Sequence, residues 1–416
     1  MRLLFVADGH SPIALNWMAY FVEAGHEVHV ISTFPAAPSL NVASWTEVPI
    51  AFSGAARFGA DTGIRDTGAG NRGVRPPSAF RSLGGARSLR LRVFLRHWLG
   101  PLTVPAAARR ARAVIASVQP DLVHALRIPF EGMLAAATQP EAPLLLSVWG
   151  NDFTFHAPSA PGMARLTRRA LRRADALHAD CQRDLRLARH WGLPEGRPEI
   201  VLPGNGGVRP EVFHPRSQPG ESVGSALDAA LGSIPPQASV VINPRGFRAY
   251  VRLDTFFRMI PLVLAQHPAV RFLCPAMAGD ALAEGWLRRL GIRDSVHLLP
   301  RLTPQEMAAA FRRADVAVSA SIHDGTPNTL LEAMACGCVP VAGDIESIRE
   351  WIEDGVNGLL TDPANPADLA AAVSRLLSDP GLREQAAAHN ARLIAERALH
   401  PKVMQQAEAF YHRLVG

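Results

Sequence analysis

DVAVSASIHDGTPNTLLEAMACGCVPVAG, residues 315–343, reads as strand, turn, helix and strand in that order. VAVSAS is an apolar run of strand length, and CVPVAGD begins a second one. Between them Thr326 stands where a helix N-cap is expected, Pro327 at the first helical position, and Gly337 where the helix stops. A strand, a helix and a second strand with no two-residue alternation belong to a parallel sheet covered on both faces.

The same rhythm extends outward. Upstream lie the strand SVVINPRG, the helix LDTFFRMIPLVLAQHP, VRFLCPA, AEGWLRRLGI, SVHLLP and TPQEMAAAFRRA; downstream come SIREWIEDG and NGLLTDP. The N-terminal half repeats it with RLLFVAD, a helix over SPIALNWMAYFVEAGH closed by Gly25, EVHVIST, PDLVHAL, a helix near 130–138, PLLLSVWG, ADALHADC and PEIVLPGNGG. Residues 209–235 lose the alternation and gain Pro, Gly and Ser, the composition of a linker. A chain of 416 residues also exceeds what one core supports. The expectation is an α/β protein with two doubly wound, Rossmann-like domains, 1–208 and 236–399, facing an interdomain cleft. Ligands of such sheets bind beyond the carboxyl ends of the strands.

Net charge is +6, carried almost wholly by arginine, since Lys402 is the one lysine. Arginines recur between Arg57 and Arg112, which suits a phosphate-bearing ligand or an acidic membrane face, or simply a solvated surface. No zinc-finger, helix-turn-helix or RNA-binding pattern accompanies them, so nucleic acid is not an expected partner. The four cysteines, 181, 274, 336 and 338, form no CxxC pair and read as small buried hydrophobes in a reducing compartment. The first apolar run stops at Asp8, too short for a secretion signal, and no 18-residue apolar span follows. A cytoplasmic protein is expected, with any membrane contact peripheral and on the inner face.

The chemistry concentrates in the opening stretch. A helix that starts at the ligand edge of a parallel sheet offers unpaired N–H groups and partial positive charge to an anion. The small residues Gly325 and Thr326 permit close approach, with Pro327, Asn328 and Thr329 forming the tip. Asp324 precedes the turn, and Glu332 lies eight positions on, about a turn and a half inside the helix. Carboxylates accept hydrogen bonds from vicinal hydroxyls, so an acid on each side of a bound diphosphate suits a nucleotide sugar. A capped helix with incidental acids is the plainer alternative.

HDGTPNTLLEAMACGCVPVAGD resembles the Glu-x7-Glu signature of the retaining family-4 (group 1) glycosyltransferases, with Asp324 and Glu332 at the two acidic positions. MRLLFVADGH, WGND, VLPGNGGVRPEVFHP, PRG, RRADVAVSAS and EDGVNGLLTDP agree in order, while residues 40–110 match poorly. The resemblance implies the GT-B fold, a donor held mainly by the C-terminal domain, and a last helix, 400–416, packing back on the N-terminal one. It gives Glu332 to the nucleotide ribose and Asp324 to the donor sugar or its phosphate. Arg245 matches the family arginine that neutralises the diphosphate. The family lysine falls in AYVRLD, where Arg252 is the nearest cation. Gly9 and His10 match the donor-facing loop of the first domain. Trp149, Asn151 and Asp152 are candidates for the acceptor side, with Trp149 in place of the usual histidine. The implied reaction is hexosyl transfer with retained configuration to a glycan or lipid-linked acceptor, in cell-surface polysaccharide, glycolipid or related glycoconjugate synthesis. No cofactor is expected, and without a DxD-like pair no metal. Two rivals are a nucleotide-sugar-binding protein without turnover and a dinucleotide-dependent oxidoreductase. The second lacks GxGxxG after the first strand.

Overall fold

The computed structural model describes residues 1–54, 94–215, 225–248 and 250–416. The chain divides into two compact units, Met1–Gly206 with Val403–Gly416, and Gly207–Lys402. The arginines between 57 and 92 and residues 216–224 lie outside the described residues.

The first unit is built on seven strands, β1 (Arg2–Ala7), β2 (Glu27–Ser32), β3 (Ser44–Glu47), β4 (Leu122–Ala125), β5 (Leu144–Val148), β6 (Ala176–Ala179) and β7 (Glu199–Val201). They pair in the order β3-β2-β1-β4-β5-β6-β7, every pair parallel. Its helices are α1 (Pro12–Glu23), α2 (Val104–Val118), α3 (Met133–Thr138), α4 (Pro161–Arg173) and α5 (Gln182–Trp191). β1 shows why the sheet is covered on both faces: Leu4 and Val6 enter one core cluster, Leu3, Phe5 and Ala7 the other.

The second unit has six strands, β8 (Val240–Ile242), β9 (Arg271–Cys274), β10 (Val296–Leu298), β11 (Val316–Ser319), β12 (Val339–Gly343) and β13 (Leu359–Thr361). Their order is β10-β9-β8-β11-β12-β13, again all parallel. Helices α6 (Ser225–Gly232), α7 (Leu253–Leu264), α8 (Ala281–Leu290), α9 (Pro304–Arg313), α10 (Asn328–Ala335), α11 (Pro366–Ser378) and α12 (Pro380–Arg397) cover it. Of the expected linker, 209–235, the described residues 209–215 and 225–235 pack into this unit. Phe213, Leu227 and Ile234 sit in this unit's core beside Val240 and Ile242, so their apolar side chains outweigh the Pro/Gly/Ser composition.

The last helix, α13 (His400–Val415), joins the first unit from Val403 on. Val403, Met404, Phe410 and Tyr411 are buried with Phe5, Trp17 and Phe21, and the Tyr411 ring stacks on Phe21 at 4.5 Å. A buried relay fixes it further. The His178 Nε2–H donates to the Leu202 carbonyl, so its Nδ1 accepts from Ser147. Ser147 then accepts from His124, which accepts from Tyr411, whose oxygen accepts from the Trp17 indole N–H. Every donor in the chain has one acceptor, and both imidazoles are neutral.

Candidate active site

In the second unit the strand order reverses between β8 and β11, and the loops leaving these two strands converge at that edge. The loop after β8 carries Asn243 and Arg245; the loop after β11 carries Asp324. Three backbone links fasten them together. Arg252 N–H donates to the Ala320 carbonyl at 2.9 Å, Ile322 N–H to the Tyr250 carbonyl at 2.9 Å, and Val251 bridges Ser321.

Arg245 is the hub. Its Nη2 donates to Asp324 Oδ2 at 2.6 Å and its Nη1 to the Thr329 hydroxyl at 3.3 Å, with the two charged side chains 10% and 14% exposed. Its Nε is buried with no partner among the described residues. Asn243, itself buried, turns the loop by accepting the Arg245 N–H at 3.0 Å, which leaves its Nδ2 buried and also without a described partner. Two buried donors at one strand end are costly unless an acceptor arrives. An anion's oxygens supply that acceptor chemistry.

The helix facing this hub begins one residue later than its sequence suggests. Pro327 holds the N-cap position and Asn328 the first helical one, with no side-chain cap on the helix. The reason is distant in sequence. The Thr326 hydroxyl is drawn away as acceptor for the Trp351 indole N–H at 3.0 Å. Ser347 meanwhile donates to the Asp324 carbonyl at 2.7 Å, so the turn is pinned from behind and no side chain caps its first-turn N–H groups. At the other end Gly337, at φ 82°, lets the Cys338 N–H return to the Ala333 carbonyl and end the helix.

Glu332 faces the same place from inside α10. It retains some accessible surface, yet burial pushes its carboxyl up to about 7, against the pull of the Arg245 guanidinium. Near neutral pH it is poised between donor and acceptor, and hydroxyl donors from a ligand would favour its charged form. Arg252, the nearest cation to the lysine's place, donates from its Nε and Nη2 to the two Asp254 oxygens at 2.8 Å, at the start of α7. The residues that sequence reasoning missed here are Asn243, Tyr250, Ser347 and Trp351. Only Asn243, a polar residue at a strand end directly before PRG, carried a readable signal.

The first unit gathers its own candidates at the ends of β1, β4 and β5. Asp152 is buried, accepting from Arg127 Nε at 3.0 Å and from the N–H groups of Ile128 and Trp149 at 3.2 Å each. It therefore holds two loops and is not a free group for an acceptor. The Arg127 guanidinium also lies 5.7 Å above the Trp149 ring. The Asn151 carbonyl receives the N–H groups of Phe155 and His156. Gly9 is explained by packing, because a Cβ there would come within 2.5 Å of Trp45 and 2.6 Å of Ser32. His10 is partly exposed beside Asp8. Glu131, buried beside Thr33 and pushed up to about 7 by burial, and the Arg127–His156–His97 contacts had no signal in the sequence.

Residues 8–204 match the family described as glycosyl transferase 4-like domain, and residues 241–379 the family described as glycosyl transferases group 1. The chain belongs to the group 1 glycosyltransferases. Among relatives of this group 1 protein, a D-inositol 3-phosphate glycosyltransferase of Geodermatophilus obscurus is 31% identical over 215 residues, 49% of this chain and 46% of the relative. One of Streptomyces bingchenggensis is 29% identical over 49% of this chain and 45% of the relative. The chain thus spans about half the length of the curated relatives it matches. Over its whole length the fold is similar to that of a sucrose-phosphate synthase from Thermosynechococcus elongatus, with a TM-score of 0.72 at 16% identity, covering 100% of this chain and 99% of that one. The Anabaena protein HepE, in complex with UDP, gives 0.69 at 16% identity over 98% and 99%. The fold is GT-B, with two Rossmann-like parallel-sheet domains.

Proposed function

We propose that this chain transfers a hexose from a nucleoside diphosphate sugar to an acceptor hydroxyl with retained anomeric configuration. The observation that carries the reading is the Arg245–Asp324–Thr329 hub at the tip of α10, with Glu332 one and a half turns behind it. In this reading the diphosphate accepts from the Arg245 Nε, the Asn243 amide and the first N–H groups of α10, and Glu332 accepts from the ribose hydroxyls. Uridine is the proposed base, because the Anabaena neighbour was solved with UDP and with UDP-glucose.

The acceptor oxygen attacks the anomeric carbon on the face the phosphate leaves. The bond from that carbon to the phosphate oxygen breaks, and the acceptor proton departs with the nucleoside diphosphate. Fixed donors aimed at the developing phosphate charge supply the stabilisation, so the proposal needs no metal ion. The acceptor is a glycan or lipid-linked glycan in glycoconjugate synthesis, met at the cytoplasmic face of a membrane.

The test is a thermal-shift series with UDP, GDP, ADP and TDP, followed by incubation with the sugar form of the nucleotide that stabilises most. Stabilisation by UDP, slow release of free nucleotide, and an α-linked product from an α-linked donor support the reading. Binding without any release supports the rival of a nucleotide-sugar-binding protein, to which the missing lysine and the Arg252–Asp254 pair point. No stabilisation by any nucleotide refutes both.

A further inference from the structure

Residues 94–99 of the first unit are helical and run into a single turn, Gly100–Thr103, ahead of α2. This segment is inside out. Its two polar side chains point inward: Arg96 lies 4.9 Å from the ring centres of both Phe34 and Phe130, and His97 is buried against His156 at 3.1 Å. Its apolar side chains point outward, with Phe94 53%, Trp98 49%, Leu99 43% and Leu102 75% exposed. Phe94 and Trp98 rest on each other at 5.5 Å, and the exposed Phe155 ring reaches this same segment at His97.

Single exposed apolar residues need no explanation; a contiguous plate of them does. Seven of the eleven large hydrophobics that are exposed among the described residues lie here, once Phe52 and Leu95 are counted. The surroundings decide what covers it. From residue 94 to residue 120 the sequence holds four arginines and no acid. The outward face of α2 presents Arg109 and Arg110 among alanines, while Arg112 donates from Nε and Nη2 to the Thr138 and Ala137 carbonyls at the end of α3. Exposed aromatic and aliphatic side chains followed by exposed arginines, with no acid between them in the sequence, match an anionic bilayer surface, where rings sit at headgroup depth and cations meet lipid phosphates. A protein partner would need an apolar patch ringed by acids. Among the described residues no helix is long and apolar enough to cross a membrane, so contact of this kind lies on the surface.

We infer that residues 94–102 form a membrane-docking plate that inserts Phe94, Trp98 and Leu102 into the headgroup region of an anionic membrane, with the α2 arginines against its phosphates. The inference deepens the membrane part of the proposed function and does not depend on sugar transfer. It differs from attraction by arginines alone in requiring apolar insertion.

The test is co-sedimentation of the full chain with vesicles of phosphatidylcholine and of phosphatidylcholine containing about one third phosphatidylglycerol. The wild type should pellet with the anionic vesicles and persist in part as salt rises. Phe94→Ser with Trp98→Ser should weaken partitioning at least about tenfold, and so should Leu102→Asp, whose side chain packs on little and leaves the fold undisturbed. Arg109→Gln with Arg110→Gln should lose only the salt-sensitive part. Unchanged stabilisation by UDP in each variant certifies the fold and keeps the donor reading separate. The inference is overturned if the apolar variants pellet like the wild type, if the wild type ignores both vesicle types, or if a lipid-free dimer of the wild type becomes monomeric in Leu102→Asp, which would make the plate a self-association surface.

Discussion

Replacing Glu332 by Gln preserves shape and removes a charge. In the folded, unliganded chain burial lifts this carboxyl from its ordinary 4.5 to about 7. Between those values the folded chain keeps a proton that the unfolded chain has released, so the group's contribution to stability is complete below pH 4.5 and is lost as pH rises through about 7. The gap, at about 1.4 kcal/mol per pH unit, is worth about 3 kcal/mol at pH 8. Because Glu332 keeps some contact with water, about 1–3 kcal/mol is the range to expect. Glutamine carries no such cost, so Glu332→Gln should be more stable than the wild type at pH 8 and equal to it near pH 4.5. Urea unfolding followed by tryptophan fluorescence, at intervals from pH 4.5 to 8, reads the difference directly, since Trp351 reports from the same unit. The same variant should bind UDP more weakly, because an amide oxygen accepts ribose hydroxyls less strongly than a carboxylate. Equal unfolding midpoints at every pH, or a variant less stable at pH 8, would refute the reasoning.

Trp351→Phe removes the indole donor to Thr326 and should cost about 1–2 kcal/mol, with UDP affinity falling several-fold as the turn loosens; thermal melting and calorimetry check the two effects. Gly343→Ala would set a Cβ 2.3 Å from the Ser321 carbonyl oxygen, backbone against backbone, and the chain should be recovered mostly insoluble. Tyr411→Phe breaks the relay between His124 and Trp17 and should cost about 2–3 kcal/mol in chemical unfolding. Burial lowers His178 from 6.5 to about 4, so the folded chain binds fewer protons than the unfolded one in that window. The wild type should accordingly lose stability as pH falls from 6.5 towards 4, a limb that His178→Asn flattens.

The alternation of apolar runs with helical segments was enough to read both parallel sheets, because strands buried on two faces leave continuous apolar stretches such as RLLFVA. That Arg245, Asp324 and Glu332 would lie at one sheet edge was legible for a related local reason, since each sits at a strand or helix end within a short motif. What stayed hidden depends on partners far along the chain. Thr326 looked like an N-cap until Trp351, 25 residues away, took its hydroxyl. The pairing of Arg252 with Asp254 was not read from AYVRLD, though the two are only two residues apart. Asp152 looked like an acceptor-side group, but Arg127, 25 residues earlier, had already enclosed it. The inside-out segment at 94–102 was invisible to periodicity, since tertiary contacts with Phe34, Phe130 and His156 decide which side of it faces in.

The central claim is that a diphosphate settles on Arg245 at the tip of α10. Calorimetric titration of UDP into the wild type and into Arg245→Ala, at one salt concentration, tests it most directly. The account predicts at least about tenfold weaker binding in the variant, with charge-assisted hydrogen bonds lost from both phosphates. Binding of equal strength in the two proteins would contradict it.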